Sequence, residues 1–270
     1  GALLSPPEVG VEAPRPSGLA ERAKLASAQA LALGRMLLLP PDSNTVLKGE
    51  LGTQKRVAWS EPAGLDPIKS ACRRQGVKLN DLLVAALTGA LARFLEEHGR
   101  IDGLELRALV PVYVRDASAG DELENHFGLV YVSLPIAVRD RGERLRQLHQ
   151  SFESIKAQPD AVVALGVLGA LGVASTEIEH IGIQLFTRKA SVMITNVPGP
   201  PVEIHLTGSA LSEMLVWAPV SGQIGVGLSL LSYAGQVRLG VAADARRLPD
   251  PRVLVRFYEE ELAALTSTAG

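Results

Sequence analysis

The sequence predicts an α/β domain of the mixed α+β kind, in which a mixed sheet carries helices on one face. Two observations predict it. Strand patterns joined by a hairpin signal close the chain, with Ile224–Ser232 and Gln236–Ala243 linked through Tyr233-Ala234-Gly235. Helical patterns are grouped between strand runs instead of alternating one for one with them. The 270 residues, 47% of them apolar, suffice to bury the core of one large domain.

Residues 1–17 hold four prolines (Pro6, Pro7, Pro14 and Pro16) and no alternating pattern, so an extended, semi-rigid linker is expected there. Ser17 can cap a helix running through Leu19, Ala23, Leu25, Ala26, Ala30, Leu33 and Leu37 until Pro40-Pro41 stops it. Linker and helix together make up residues 1–44, and residues 45–270 the compact domain. Leu65-Asp66-Pro67-Ile68 starts a short helix that ends near Gly76. Asn80-Asp81 opens a longer one, with Leu83, Ala86, Leu87, Ala90, Leu91 and Phe94 at helical spacing, ended by Gly99. Leu104–Val114 alternates as a strand with Leu106, Ala108, Val110 and Val112 on one face, and Phe127–Ile136 is a second strand. Glu143–Gln158 places Leu145, Leu148, Phe152 and Ile155 on one face of an amphipathic helix. Ser191–Thr195 and Ile204–Thr207 are further strands, and Asp250-Pro251 caps a terminal helix through Leu254, Phe257, Glu261 and Leu265.

Charge and composition exclude several classes. Lys and Arg number 27 against 29 Asp and Glu, so the basic excess of a nucleic-acid binder is missing. One cysteine, Cys72, excludes an internal disulfide framework and a multi-cysteine zinc site, and a cytoplasmic location is expected. The apolar run Ala161–Ala174 is shorter than the roughly 20 residues that span a bilayer. Its alanines and glycines would let an acyl chain or another backbone approach closely. No nucleotide-binding glycine loop, nucleophile elbow or paired-histidine zinc motif occurs, and no metal site is expected. The histidines (His98, His126, His149, His180 and His205) are dispersed and are expected at the surface or in the core. Gly1 is not an initiator methionine and no signal core follows it, which suggests a fragment, a processed chain or a tag scar.

Two short segments combine local structure with chemistry. At Asn80-Asp81, asparagine is a strong N-cap and a first-turn aspartate suits the positive end of the helix dipole, while a helix start also presents amide donors to a ligand. At Thr195-Asn196-Val197-Pro198-Gly199-Pro200, a strand ends in a proline-glycine turn, and a hydroxyl at such a strand end can donate to a developing negative charge.

The ordered set Leu79-Asn80-Asp81-Leu82-Leu83, Val110-Pro111-Val112-Tyr113-Val114-Arg115, Glu124-Asn125-His126-Phe127-Gly128 and Asn196-Val197-Pro198-Gly199-Pro200 resembles the wax ester synthase/diacylglycerol acyltransferase family over about residues 40–260. Glu124 stands where that family commonly has glycine, and Thr195 where it commonly has serine; the latter change keeps a hydroxyl. The end of the chain is more distantly similar to chloramphenicol and dihydrolipoyl acyltransferases, which implies a chloramphenicol acetyltransferase-like two-layer fold. Those enzymes place a catalytic histidine where Asp244-Ala245-Arg246-Arg247-Leu248-Pro249-Asp250 has Ala245.

The resemblance therefore implies the C-terminal half of an O-acyltransferase that moves a fatty acyl group from acyl-coenzyme A to diacylglycerol or a long-chain alcohol. It implies acyl-CoA as co-substrate with no further cofactor, and an N-terminal half that carries a His-His motif and supplies the base. Thr195 and Asn196 are the implied catalytic positions. Asn80, Asp81 and Gly199 are the implied substrate-side positions, and contact with a membrane or lipid droplet would be peripheral. Two other classes stay open: a non-catalytic scaffold that kept the fold, and a condensation domain that takes its acyl group from a carrier protein.

Overall fold

A computed structural model describes residues 10–12, 18–115, 127–156, 163 and 176–267. In chain order the strands are β1 (Gly10–Glu12), β2 (Lys55–Trp59), β3 (Ala63–Gly64), β4 (Leu106–Arg115), β5 (Phe127–Leu134), β6 (Val192–Pro198), β7 (His205–Leu206), β8 (Ser209–Ala210), β9 (Val226–Tyr233) and β10 (Gln236–Asp244). The helices are α1 (Leu19–Leu38), α2 (Leu65–Gln75), α3 (Leu79–Glu96), α4 (Arg141–Lys156), α5 (Thr176–Thr187) and α6 (Arg252–Thr266). The Ala161–Ala174 run, apart from Val163, and the Glu124-Asn125-His126 motif lie outside the described residues.

The sheet is mixed, as expected. Its spine runs β1-β4-β6-β9-β10-β2, with β5 on β4 and β3 on β10. The β1–β4, β4–β6 and β6–β9 pairs are parallel, and the others are antiparallel. β4 and β6 pair only at Ala108 and Leu109; past Pro111, which has no amide proton to donate, β4 pairs instead with β1 at Tyr113–Arg115. The expected hairpin joins β9 to β10, and its turn residue Ala234 takes a left-handed φ of 46°.

One sheet face is covered by helices. α3 packs between α4 and α6, and the main core gathers Ala108 and Val112 of β4, Val130 and Val132 of β5, Ile194 of β6, and Leu228 and Leu230 of β9. α3 is buried on all sides, from Asn80 through Ala92. The one-faced apolar spacing expected for it understates this, because neighbouring helices cover the flanks that would otherwise meet water. The opposite sheet face carries a smaller cluster of Leu109, Ala190 and Ile224, with Leu129, Met193 and Tyr131 against it. There the segment before β9 crosses the strands: Ser229 Oγ donates to the Val216 carbonyl, and Trp217 stands edge-on to Trp59, ring centroids 6.1 Å apart.

Several elements depart from the sequence expectation. β2 and the three-residue β1 were not anticipated, since neither run is long or apolar enough to stand out. β2 is an edge strand, exposed at every position but Ala58. The expected Ile204–Thr207 strand is two residues, β7, in a small hairpin with β8. α5 follows the apolar run and was not anticipated. Residues 36–42 are tied to the sheet: Lys189 Nζ donates to the Met36 and Leu37 carbonyls at 2.6 and 2.9 Å, and the Arg107 guanidinium donates to the Pro40 and Pro41 carbonyls. Asp42 accepts from the Arg107 amide and from Ser191 Oγ. Burial, and then the charge of Arg107, pushes the Lys189 ammonium below its ordinary value.

Candidate functional site

Alternation along β6 separates its two candidate residues. Val192 and Ile194 enter the core beneath the helices, whereas Met193 packs on the other face. Asn196 therefore points toward α3 and Thr195 toward the opposite sheet face. Asn196 Nδ2 donates to Asn80 Oδ1 at 3.1 Å, across 116 residues of sequence. Two segments singled out independently are thus brought into contact. Thr195 is half-buried, sits beside Ser229 of β9, and its hydroxyl makes no hydrogen bond to another described residue. That leaves the hydroxyl free to donate to a ligand oxygen.

Asn80 does not cap α3, contrary to expectation. The helix begins at Leu79 and Lys78 is the extended residue before it, with φ −88° and ψ 159°. The capping bond comes from the third helical position, where Asp81 Oδ2 accepts the Lys78 amide at 3.0 Å. The helix starts earlier than expected, which places Asn80 inside the first turn, where its side chain meets Asn196, and leaves Asp81 to reach back to the Lys78 amide. His149 of α4 donates Nδ1 to the same Asp81 oxygen at 2.6 Å, and since a carboxylate has no proton to give, Nδ1 carries the hydrogen. Lys78 Nζ meets Glu153 at 2.7 Å, so α4 grips the start of α3 twice. His149 was expected to be an ordinary surface or core histidine. Its position on a polar flank of α4 was visible in the sequence; its partner, 68 residues away, was not.

Gly199 lies where β6 leaves the sheet. Its amide donates to the Ser232 carbonyl at 2.9 Å, and a Cβ placed on it would sit 2.2 Å from that same oxygen. The turn is held from its other side by the Ala234 amide, which donates to the Pro200 carbonyl at 3.0 Å. Glycine is thus needed for backbone to approach backbone. Gly199→Ala is expected to lower stability by about 1–3 kcal/mol, measured as a fall in denaturant midpoint at unchanged slope.

The Asp244–Asp250 turn is a structural lock. Asp244 is fully buried and accepts from the Gly52 amide at 2.7 Å, Lys55 Nζ at 2.7 Å and the Arg246 amide at 3.0 Å. Burial alone would raise its pKa, but the bonds from Lys55 and the two amides outweigh it and hold the carboxyl below the ordinary range. The Ala245 amide donates to the Gln54 carbonyl at 3.0 Å, which ties the turn to the segment leading into β2. Asp250 lies just before α6 and accepts from the Arg252 amide, the first of that helix, at 3.1 Å. Both acids flanking Ala245 therefore serve the fold. Among the described residues no cluster of three or more His, Cys, Asp or Glu side chains could hold a metal ion, and no helix is long and apolar enough to cross a membrane.

The chain is similar in sequence and fold to known proteins. The chain is 27% identical over 228 residues to the Mycobacterium tuberculosis protein named "Probable diacyglycerol O-acyltransferase tgs1", covering 82% of this chain and 49% of that one. It spans about half the length of the curated relatives it matches. In fold it matches the wax ester synthase/diacylglycerol acyltransferase of Marinobacter aquaeolei VT8, with a TM-score of 0.66, 23% identity, and coverage of 94% of this chain and 57% of that one. A structure of condensation domain-mediated chain release from the enacyloxin polyketide synthase matches with a TM-score of 0.56 at 16% identity, covering 94% and 49%. The two-layer acyltransferase fold expected from the sequence is thereby established. The family profile of the WS/DGAT C-terminal domain matches residues 123–266, more than half of the chain, and the chain belongs to the wax ester synthase/diacylglycerol acyltransferase family, of which it carries that domain.

Proposed function

We propose that this chain is the C-terminal half of an O-acyltransferase that esterifies diacylglycerol or a long-chain alcohol with the acyl group of acyl-CoA. The observation that carries this reading is the Asn80–Asn196 contact in a family member: it holds the end of β6, whose alternation sets the Thr195 hydroxyl on the sheet face away from the helices. A histidine on the N-terminal half removes the proton from the acceptor hydroxyl, which attacks the thioester carbonyl. The carbonyl oxygen becomes an oxyanion, and Thr195 donates a hydrogen bond to it. Collapse breaks the carbon–sulfur bond, and the departing thiolate takes the proton held by the histidine. Asn80, Asp81 and Asn196 position the strand end, and Gly199 shapes its exit. No cofactor beyond the co-substrate enters. The exposed Trp59, Trp217 and Val57 on the open sheet face suit peripheral contact with lipid at the cytoplasmic face of a membrane or droplet.

The test is reconstitution. The chain alone is expected to transfer no acyl group from acyl-CoA to diacylglycerol or hexadecanol, and addition of an N-terminal half carrying the His-His motif is expected to restore turnover. Robust transfer by the chain alone would refute the division of labour. The fold shared with a condensation domain supports a second reading, in which the donor is a carrier-bound thioester. Turnover of an acyl carrier protein thioester but not of acyl-CoA would select it, and no turnover with either donor in the assembled protein would leave the scaffold reading.

A further inference from the structure

We propose that His149 is a positioning residue for the acyl transfer inferred above, acting through Asp81 on the Asn80–Asn196 contact that aims Thr195. This inference rests on that reading of function for its kinetic arm, and on geometry alone for its structural arm. The connection runs through four groups. His149 Nδ1 donates to Asp81 Oδ2 at 2.6 Å; Asp81 is the neighbour of Asn80 in the first turn of α3; Asn80 Oδ1 accepts from Asn196 Nδ2 at 3.1 Å; and Asn196 adjoins Thr195 on β6. The Asp81 side chain is 1% exposed and that of His149 is 30% exposed, so the imidazole stands at the rim of the contact.

Two features separate this role from simple helix packing. α4 is anchored in the core by Leu145, Leu148 and Phe152, each at most 2% exposed, so the helix stays docked without the imidazole. The capping bond from the Lys78 amide to Asp81 does not involve His149 either. What His149 adds is direction. A carboxylate held only by its own helix start can rotate about its side-chain torsion, and a second donor from a neighbouring helix fixes both the carboxylate and the rotational setting of the first turn. That setting decides whether the Asn80 carbonyl oxygen meets Asn196, and a displacement of about 1 Å at such a site can cost about 100-fold in rate. Glu153, one turn along α4, bonds to Lys78 and holds the residue before the helix in the same way.

The experiment compares wild type, His149→Leu and His149→Asn. Asparagine places its Nδ2 where imidazole has Nδ1, so it can still donate to Asp81. In the 15N-labelled chain, His149→Leu is expected to shift and broaden the side-chain amide signals of Asn196 while most backbone amides stay in place, and His149→Asn is expected to restore them. In the assembled acyltransferase, His149→Leu is expected to lower kcat about 10- to 100-fold at unchanged KM, with recovery in His149→Asn. Unchanged Asn196 signals in folded His149→Leu would overturn the proposal, as would unchanged kcat in an active assembly. If the wild-type assembly transfers no acyl group, the functional reading fails, and the amide signals still decide the positioning role. If leucine prevents folding, His149→Gln, which moves the donor nitrogen one bond outward, is read by the same two signals.

Discussion

Thr195→Ala is expected to reduce turnover of the assembled enzyme by about 100- to 1,000-fold, the usual consequence of removing one preorganised oxyanion donor. KM for acyl-CoA is expected to stay within about twofold, because the bond forms only as charge develops on the carbonyl oxygen. Thr195→Ser keeps the hydroxyl on the same strand face and is expected to retain most of the rate. The folded state gives the substitution little other effect, since the hydroxyl bonds to no other described residue and the side chain is only half-buried. The stability change is therefore expected to lie within about 0.5–1 kcal/mol. Steady-state kinetics with parallel thermal melts separate the two effects. A loss of turnover that merely tracks a fall in melting temperature would remove Thr195 from the chemistry. Retention of full turnover would do so as well, and would leave Asn196 as a strand anchor only.

Glu261→Ala is expected to have the largest effect on stability, about 3–5 kcal/mol, measured by denaturant titration. Glu261, on α6, is 3% exposed, accepts hydrogen bonds from two arginines and lies near a third. Arg141 donates Nε and Nη2 at 3.0 and 2.8 Å, Arg144 donates Nη2 at 2.6 Å, and Arg93 stands 3.9 Å away. Arg144 is itself buried, so alanine would leave its charge without the carboxylate it bonds to. Gly89 of α3 makes this packing feasible, because a Cβ there would lie 2.5 Å from Glu261 Oε2. Burial pushes the Glu261 pKa up, but the Arg141 bond and the charges of Arg144, Arg141 and Arg93 outweigh it and hold it below the ordinary glutamate range. The folded form thus binds its proton less readily than the unfolded chain does. The stabilisation is complete above the ordinary glutamate range and is lost as pH falls through the lowered value. Wild type is accordingly expected to lose stability on acidification more steeply than Glu261→Gln, in melts taken from pH 6 to pH 3.

Local signals made much of this legible in advance. The hairpin at Tyr233-Ala234-Gly235, the alternating β4 face and the amphipathic α4 depend on periodicity and turn chemistry within a few residues, and all three stand in the structure. β2 was missed because its place is fixed by pairing with β10, nearly 200 residues away: Trp59 opposite Gly240 and Lys55 opposite Asp244. An exposed edge strand has little apolar alternation of its own to read. The capping of α3 was misjudged for a related reason. Asparagine is the better cap by propensity, but α3 starts at Leu79, so Asn80 lies inside the first turn against β6 and the Asp81 carboxylate takes the free Lys78 amide.

By itself the sequence determined the class of fold, the family through its ordered short motifs, and the absence of a histidine at Ala245. These are matters of residue identity and near-neighbour spacing, which the linear chain carries in full. Only the tertiary structure decided what each candidate does. It put Thr195 and Asn196 on opposite faces of one strand, joined Asn196 to Asn80 and Asp81 to His149, and showed Asp244 and Asp250 bound to the fold. A hydrogen bond tolerates only a few tenths of an ångström of variation between its groups, here up to 116 residues apart in sequence for Asn80 and Asn196, and packing, not local spacing, sets those distances.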